Sequence, residues 1–298
     1  MLALIAGGGD LPRIVAASQP EAPLVCALTG NRRPAGLDVD HWFRLETLGT
    51  LLLTLGDQGV SEVCLCGGID RPALDPAMLD DETRPLVPLV MEALKKGDDG
   101  ALRLILQLFE QTGFIIRAAH ELAPDLLPSE GVLTDKAPRD THVADVATAR
   151  EVVEEMGQAD LGQACVMRKG QVLAREGEPG TDAMLATLAL PQPGPAMPLR
   201  VTLDAAGGLD PATRTWLQSF SDDVHEAPGA GAILYKAPKP GQDRRADLPT
   251  IGPGTALRAA QAGLDGIVIE AGGVMVLDLP QVLAVLDAMH MFLWVQPG

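Results

Sequence analysis

The chain has 298 residues, 47% of them apolar, 21% charged and only 3% aromatic, and its 23 Lys and Arg stand against 40 Asp and Glu for a formal net charge of −17. That balance excludes a general nucleic-acid binder, whose phosphate-tracking surface needs a basic stripe, unless the cations are concentrated at one site. The length suggests two domains with aliphatic cores, and no stretch reaches the roughly 18 uninterrupted apolar residues of a spanning helix.

The N-terminal MLALIAGGGDLPR lacks the basic start of a signal peptide, its apolar run stopping at three glycines. Leu2 to Ala6 followed by Gly7-Gly8-Gly9-Asp10-Leu11-Pro12 predicts a strand, a tight turn and a helix start. A helical patch at residues 50–56 leads to a second strand at 63–66, closed by Gly67 and Gly68. Two strand ends with glycine loops point to a parallel sheet whose ligand edge lies at those ends. Helical patterns at 86–96 and 101–111 and a strand at 114–118 complete a Rossmann-like α/β unit, domain 1–130. The polar stretch 127–141 is the expected linker. Beyond it the pattern predicts a helix at 144–156, a hairpin of 164–168 and 172–175 turning at Lys169-Gly170, and a helix over 181–188. Residues 190–230 are rich in Pro, Gly and Asp, with one helix at 211–219. A strand to Lys236, a polar loop to Gly254, a helix at 255–262, strands at 266–270 and 274–278, a helix at 280–289 and a strand at 291–295 follow. These make a second α/β domain of mixed topology, 131–298. The four cysteines, Cys26, Cys64, Cys66 and Cys165, sit in apolar stretches without metal-ligand spacing and read as buried reduced thiols of a cytosolic protein.

Several loops carry chemistry-bearing residues. The turn Gly7-Gly8-Gly9 suits a phosphate or ribose cradle and suits an ordinary strand-to-helix turn equally well. Gly68 and Arg71 form a similar loop in which the guanidinium is able to meet an anion. Asp98, with Arg103, orders a polar loop or caps a helix. His120 follows an apolar strand and is placed to hydrogen-bond a ligand, although satisfaction by the core or by Glu121 is the more economical reading. Gln163 leads into the hairpin and Glu176 leaves it, just ahead of Thr181 and Asp182; this set suits a cation or a hydroxyl-rich ligand, while helix capping explains the last two. The strongest anomaly is KAPKPGQDRRADLPTIGP, where four of the 23 basic residues, Lys236, Lys239, Arg244 and Arg245, fall within ten positions and run into Asp247. In so acidic a chain this suggests a diphosphate site, with cations on the non-bridging oxygens and a carboxylate that holds Mg²⁺ or orients water.

The run AGGGDLP, the GGIDRP loop, GDD with Arg103, AHE, DLGQACV, GTDAML and KAPKPGQDRRADLPTIGP, in this order along nearly the whole chain, resemble the LpxI-type UDP-2,3-diacylglucosamine pyrophosphatases of lipid A synthesis. The resemblance implies Mg²⁺-dependent hydrolysis of UDP-2,3-diacylglucosamine to UMP and 2,3-diacylglucosamine 1-phosphate (lipid X), with attack at the phosphorus nearer the sugar. It implies a homodimer acting in the cytoplasm at the inner face of the inner membrane, and the acidic charge balance argues against a nucleic-acid partner. The family's essential aspartate falls on Asp247, and Lys236, Lys239 and Gln242 belong to the loop beside it. Glu176 matches an acidic position of the family and is the second expected metal ligand. Gly8, Gly9, Leu11, Gly68, Arg71, Asp98, Arg103, His120, Gln163, Thr181 and Asp182 are the remaining expected substrate contacts. The chain departs from the family pattern at Pro179, where a glutamate is common, and at Ala118, where glycine is usual. Small-molecule sites favour domain junctions, which is where the acyl chains are expected. Two other classes use the same loops: a nicotinamide-dependent oxidoreductase, which lacks an acidic residue placed to hold the ribose, and a non-catalytic nucleotide- or lipid-sensing module.

Overall fold

A computed structural model describes residues 1–70, 74–89, 98–190 and 196–298, apart from the side chains of Asp98 and Asp99. Its contacts divide the chain into two units, Met1–Pro124 with Gln242–Asp247, and Asp125–Gly241 with Leu248–Gly298. Among the described residues no helix is long and apolar enough to cross a membrane.

The first unit is a five-stranded sheet of β1 (Leu2–Ala6), β2 (Leu24–Leu28), β3 (His41–Phe43), β4 (Glu62–Cys66) and β5 (Ile115–Ile116), ordered β3-β2-β1-β4-β5. Every pairing is parallel. The order reverses at β1 and β4, and the carboxyl ends of those two strands are the topological switch point where open α/β sheets bind ligands. The helices Leu48–Asp57 and Asp98–Gln111 supply Leu51, Leu52, Leu55, Leu106 and Phe109 to the core formed with Ile5, Cys26, Val63 and Leu65. β2 and β3 are additions to the sequence pattern. LVCAL is a short apolar run that periodicity alone does not separate from a buried helix turn, and HWF has only three paired residues. The strand expected at 114–118 narrows to two residues, because Phe114 turns into the core and meets Phe109 edge-on at 5.9 Å. Most of the helical pattern expected at 86–96 lies outside the described residues.

The second unit centres on a six-stranded sheet, β6-β13-β11-β9-β7-β8. Its parallel heart is β9 (Ile233–Lys236), β11 (Gly266–Glu270) and β13 (Phe292–Gln296). Antiparallel β7 (Ala164–Arg168) and β8 (Gln171–Arg175) extend one side, and β6 (Gly131–Val132) the other. Strands buried on both faces read as short apolar runs, as the ILY of β9 and the GIVI of β11 do. Leu234, Ile267, Ile269 and Leu293 face the helices Pro253–Gln261 and Leu279–Ala288, while Ile233, Tyr235, Val268 and Phe292 face the helix Asp140–Gln158. β10 (Thr250–Ile251) and β12 (Met275–Val276) form a separate parallel pair. The β7–β8 hairpin turns at Lys169 and Gly170 with φ of 50° and 75°, the positive-φ pair that suits the twist of a two-residue loop.

Two expectations change. Residues 127–141 are not a free linker: Gly131 and Val132 pair with Val295 and Trp294, the Asp135 N–H donates to Asp287 at 2.9 Å, and Lys136 meets Asp265 at 3.0 Å. Polar composition reported exposure there and missed the edge-strand pairing. Residues 196–230 are also more structural than their composition suggests, since Val201, Leu209, Trp216, Leu217 and Phe220 enter the core.

All four cysteines are free and buried, and burial pushes the Cys26 and Cys165 thiols up to about 12. Thiolate is the reactive form. Iodoacetamide at pH 8 should therefore modify none of the four in the native protein and all four in denaturant. Native labelling of any one would contradict its buried placement.

Candidate active site

At the switch point of the first unit the two glycine turns are bonded to each other. The Gly7 N–H donates to Cys66 O, the Gly8 N–H to Gly68 O and the Gly68 N–H to Gly8 O, at 2.8 to 2.9 Å. A side chain at Gly7 would stand 2.5 Å from Gly68 O, so the close approach of two backbones explains the glycine here. The N–H groups of Gly7 and Gly8 are thus engaged within the fold. Gly9, at φ 96°, turns the chain toward Asp10, and the Leu11 side chain is buried. Beside the pair, Arg32 binds Asp70 through both carboxylate oxygens at 2.9 and 3.1 Å, and Asn31 bonds the Asp70 backbone. Asp70 lies in the GGIDRP loop, while Asn31 and Arg32 had no distinguishing pattern in the sequence. Arg71 lies outside the described residues, as does the side chain of Asp98.

The same unit holds residues Gln242–Asp247. Gln242, nearly buried at 8% exposure, donates its amide to Asp247 Oδ2 at 2.7 Å. Ala246 packs into the apolar cluster with Leu102, Leu104 and Ile105. Arg245 forks onto both Asp243 oxygens at 3.0 and 2.8 Å and reaches Glu110 at 2.5 Å. That bidentate pairing holds the Asp243 carboxyl below the usual range, with burial opposing it and Arg103 adding to the lowering. His120, in the short helix Ala119–Leu122, has its imidazole pushed down by burial and by the charge of Arg244, against the pull of Glu121. Glu121 itself accepts from Arg117 Nε and the Ala118 N–H, both at 3.1 Å, so its carboxylate is not reserved for His120.

In the second unit, Lys236 ends β9 with 6% exposure. Its Nζ donates to Thr181 Oγ1 at 2.8 Å, Thr181 donates onward to Glu176 Oε1, and the Lys236–Glu176 separation is 3.9 Å. Glu176 Oε2 accepts from the Gln163 N–H at 2.8 Å. Burial pushes the Lys236 ammonium down while Glu176 and Asp182 pull it back up. Asp182 is paired with Arg258 at 3.2 Å. Gln163, Glu176, Thr181, Asp182 and Lys236, drawn from four segments, therefore converge at the carboxyl end of the parallel strand β9. Arg258, on the helix after the DLPTIGP turn, had no distinguishing pattern in the sequence.

Three of the four cations of the run 236–245 are held by neighbouring side chains. Lys236 is buried against Thr181, Lys239 binds Asp160 at 2.7 Å, and Arg245 is held by Asp243 and Glu110. Lys236 and Lys239 belong to one unit, and Arg244 and Arg245 to the other. Linear spacing counted the charges and not their acidic partners.

Among the described residues no three His, Cys, Asp or Glu side chains converge to hold a metal ion. Glu176 is already charge-paired, each oxygen accepting one hydrogen bond and the Lys236 ammonium standing 3.9 Å away. Asp247 fits the mode in which Mg²⁺ takes one or two protein carboxylates and completes its shell with substrate phosphates and water.

The model of the LpxI N-terminal domain matches residues 1–126, and that of the LpxI C-terminal domain matches residues 129–294. The UDP-2,3-diacylglucosamine pyrophosphatase LpxI of Caulobacter vibrioides is 35% identical over 295 residues, which cover 98% of this chain and 95% of that protein.

Proposed function

Because the chain belongs to the LpxI family through both of its domains, we propose that it hydrolyses the pyrophosphate of UDP-2,3-diacylglucosamine, releasing UMP and 2,3-diacylglucosamine 1-phosphate. The observation that carries this function is the end-to-end match to a relative of that activity, 98% of this chain at 35% identity. We assign Asp247 to the reaction itself. Its carboxylate, oriented by the Gln242 amide at 2.7 Å, positions the attacking water and takes its proton. Mg²⁺ arriving on the diphosphate would neutralise charge on the phosphoryl oxygens, with Asp247 as its protein carboxylate. Lys236 supplies a fixed positive charge at the carboxyl end of β9, where a low-dielectric setting strengthens its field. Thr181 and Glu176 hold that charge in place. Phosphoryl transfer chiefly demands alignment and charge neutralisation. The reaction takes place in the cytoplasm at the inner face of the inner membrane, carried out by a homodimer.

The test is incubation with UDP-2,3-diacylglucosamine and Mg²⁺ in ¹⁸O-water. UMP should appear, EDTA should stop its release, and the label should enter the sugar phosphate, as attack at the phosphorus nearer the sugar requires. Label in UMP would move the attack to the other phosphorus. No UMP at all would refute the activity.

A further inference from the structure

Arg258 carries donors that the fold leaves unsatisfied. It stands on the helix Pro253–Gln261, whose Ala256, Leu257, Ala259 and Ala260 are buried in one apolar cluster with Met184 and Leu185 of the helix Gly180–Ala186. Long side chains on a helix lean toward its N-terminus, and the Arg258 guanidinium reaches Asp182 in the first turn of the neighbouring helix. Its Nε lies 3.2 Å from Asp182 Oδ2, is closed off from solvent and makes no hydrogen bond. Among the described residues the guanidinium has no other polar partner. A buried donor without an acceptor is rare and costly. Arg32 and Arg245, by contrast, each fork onto both oxygens of a carboxylate. Asp182 thus holds Arg258 by charge without saturating it. The side chain of Asp182 is 55% exposed, and pairs in such a setting add little to folding, so stability does not account for the arrangement.

The pair stands beside the buried cation. Asp182 directly follows Thr181, which accepts from Lys236 Nζ at 2.8 Å, and Asp182 is one of the two carboxylates whose charge acts on the Lys236 ammonium. We propose that Arg258 is a phosphate-binding residue of the reaction, its guanidinium meeting non-bridging oxygens of the diphosphate, and that Asp182 is its positioning residue. The inference rests on the hydrolase function proposed above. The planar fork has a second edge, Nη1 and Nη2, which meets two phosphate oxygens at once while Nε stays beside Asp182. Asp182 in direct contact with the substrate would set a carboxylate against a phosphate. Acting through Arg258, the same carboxylate favours the anion by fixing its cation. Lys236 supplies a point charge and Arg258 a directed pair of donors, so the two contribute different things to one diphosphate.

The experiment measures UMP release by Arg258 and Asp182 variants and, separately, substrate binding. Arg258→Ala should lower kcat/KM about 10- to 100-fold, the usual worth of a hydrogen bond to a charged group, and melt close to the wild-type temperature. Arg258→Lys should recover little, because an ammonium does not reproduce the fork. Guanidinium ion at non-denaturing concentration should restore part of the turnover of Arg258→Ala, and ammonium ion should not. The same response to both ions overturns the proposal. Asp182→Asn should lose less than Arg258→Ala, and the double variant should be no worse than Arg258→Ala, as expected of a residue that acts through another. Additive losses would give Asp182 a substrate contact of its own and overturn its positioning role. Calorimetric binding of UDP-2,3-diacylglucosamine in EDTA is compared between Asp247→Asn and Asp247→Asn/Arg258→Ala, and the second should bind about tenfold or more weakly. Equal affinity, or binding by neither, overturns the assignment of Arg258. If the wild type releases no UMP the hydrolase function fails, and the binding comparison still decides whether Arg258 holds the diphosphate.

Discussion

Asp247→Asn should lose turnover by roughly 10²–10⁴-fold, the usual contribution of a positioned acid or base, while melting at nearly the wild-type temperature. The asparagine carbonyl still accepts from the Gln242 amide, so the 2.7 Å contact survives and only the ionised carboxylate is removed. Asp247→Ala removes both. It leaves the nearly buried Gln242 amide without that acceptor, at a cost of about 1–3 kcal/mol. Stability should thus separate the two variants and activity should not. Substrate affinity measured in EDTA should hold or tighten in both, because a negative charge beside an anionic diphosphate is gone. Calorimetric binding of UDP-2,3-diacylglucosamine to the inactive variants reads this directly. Near-normal turnover by Asp247→Asn would demote Asp247 to a partner of Gln242, and loss of substrate binding would mean that it acts in binding and not in the reaction.

The strands and most helices were legible because local pattern and tertiary environment agree. Leu2 to Ala6 and Gly266 to Glu270 are short aliphatic runs closed by turn residues, and each is a buried parallel strand. Gln163, Glu176, Thr181, Asp182 and Lys236 were legible for a related reason. Each lies at the end of an element, and the ends of elements in one sheet are brought to one edge by the topology. What spacing did not carry was long-range pairing. Lys239 finds Asp160 and Asp182 finds Arg258, 79 and 76 positions away, and nothing in a linear run distinguishes an ammonium with a carboxylate partner from one facing solvent. The same blindness hid the partners of the basic run, where Lys239 is paired with Asp160 and Arg245 with Asp243 and Glu110. It also hid Glu176's engagement from the expectation that it ligates a metal, because its partners are a backbone N–H and a hydroxyl, which have no charge signature. The glycine turns were read for their approach to a ligand, and their closest approach is to each other. Gly7 and Gly67 directly follow strands that are adjacent in space, and they stand 60 residues apart in sequence, so that contact follows from the sheet order and not from either motif alone.

Lys236→Met should destabilise the second unit by about 3–5 kcal/mol, because removing one partner of a buried ion pair leaves the other charge uncompensated. Methionine keeps the length and apolar stem of lysine, so little of the cost comes from packing. The remaining charge is Glu176, itself 8% exposed, with Thr181 and the Gln163 N–H as its hydrogen-bond donors. Neutralising that carboxylate in Lys236→Met/Glu176→Gln should recover most of the lost stability, since the glutamine carbonyl still accepts from one of the two donors and no unpaired charge is buried. Activity should follow a different course. If Lys236 supplies positive charge to the phosphoryl oxygens, both the single and the double variant stay inactive, whereas a purely structural lysine predicts that the double variant regains turnover together with stability. Lys236→Arg should rescue neither, because a forked guanidinium does not fit a site closed around one ammonium and a hydroxyl. Urea midpoints and UMP release measured on the same preparations separate the outcomes. Recovery of both quantities in the double variant would remove Lys236 from the reacting groups and leave Asp247 to act without it.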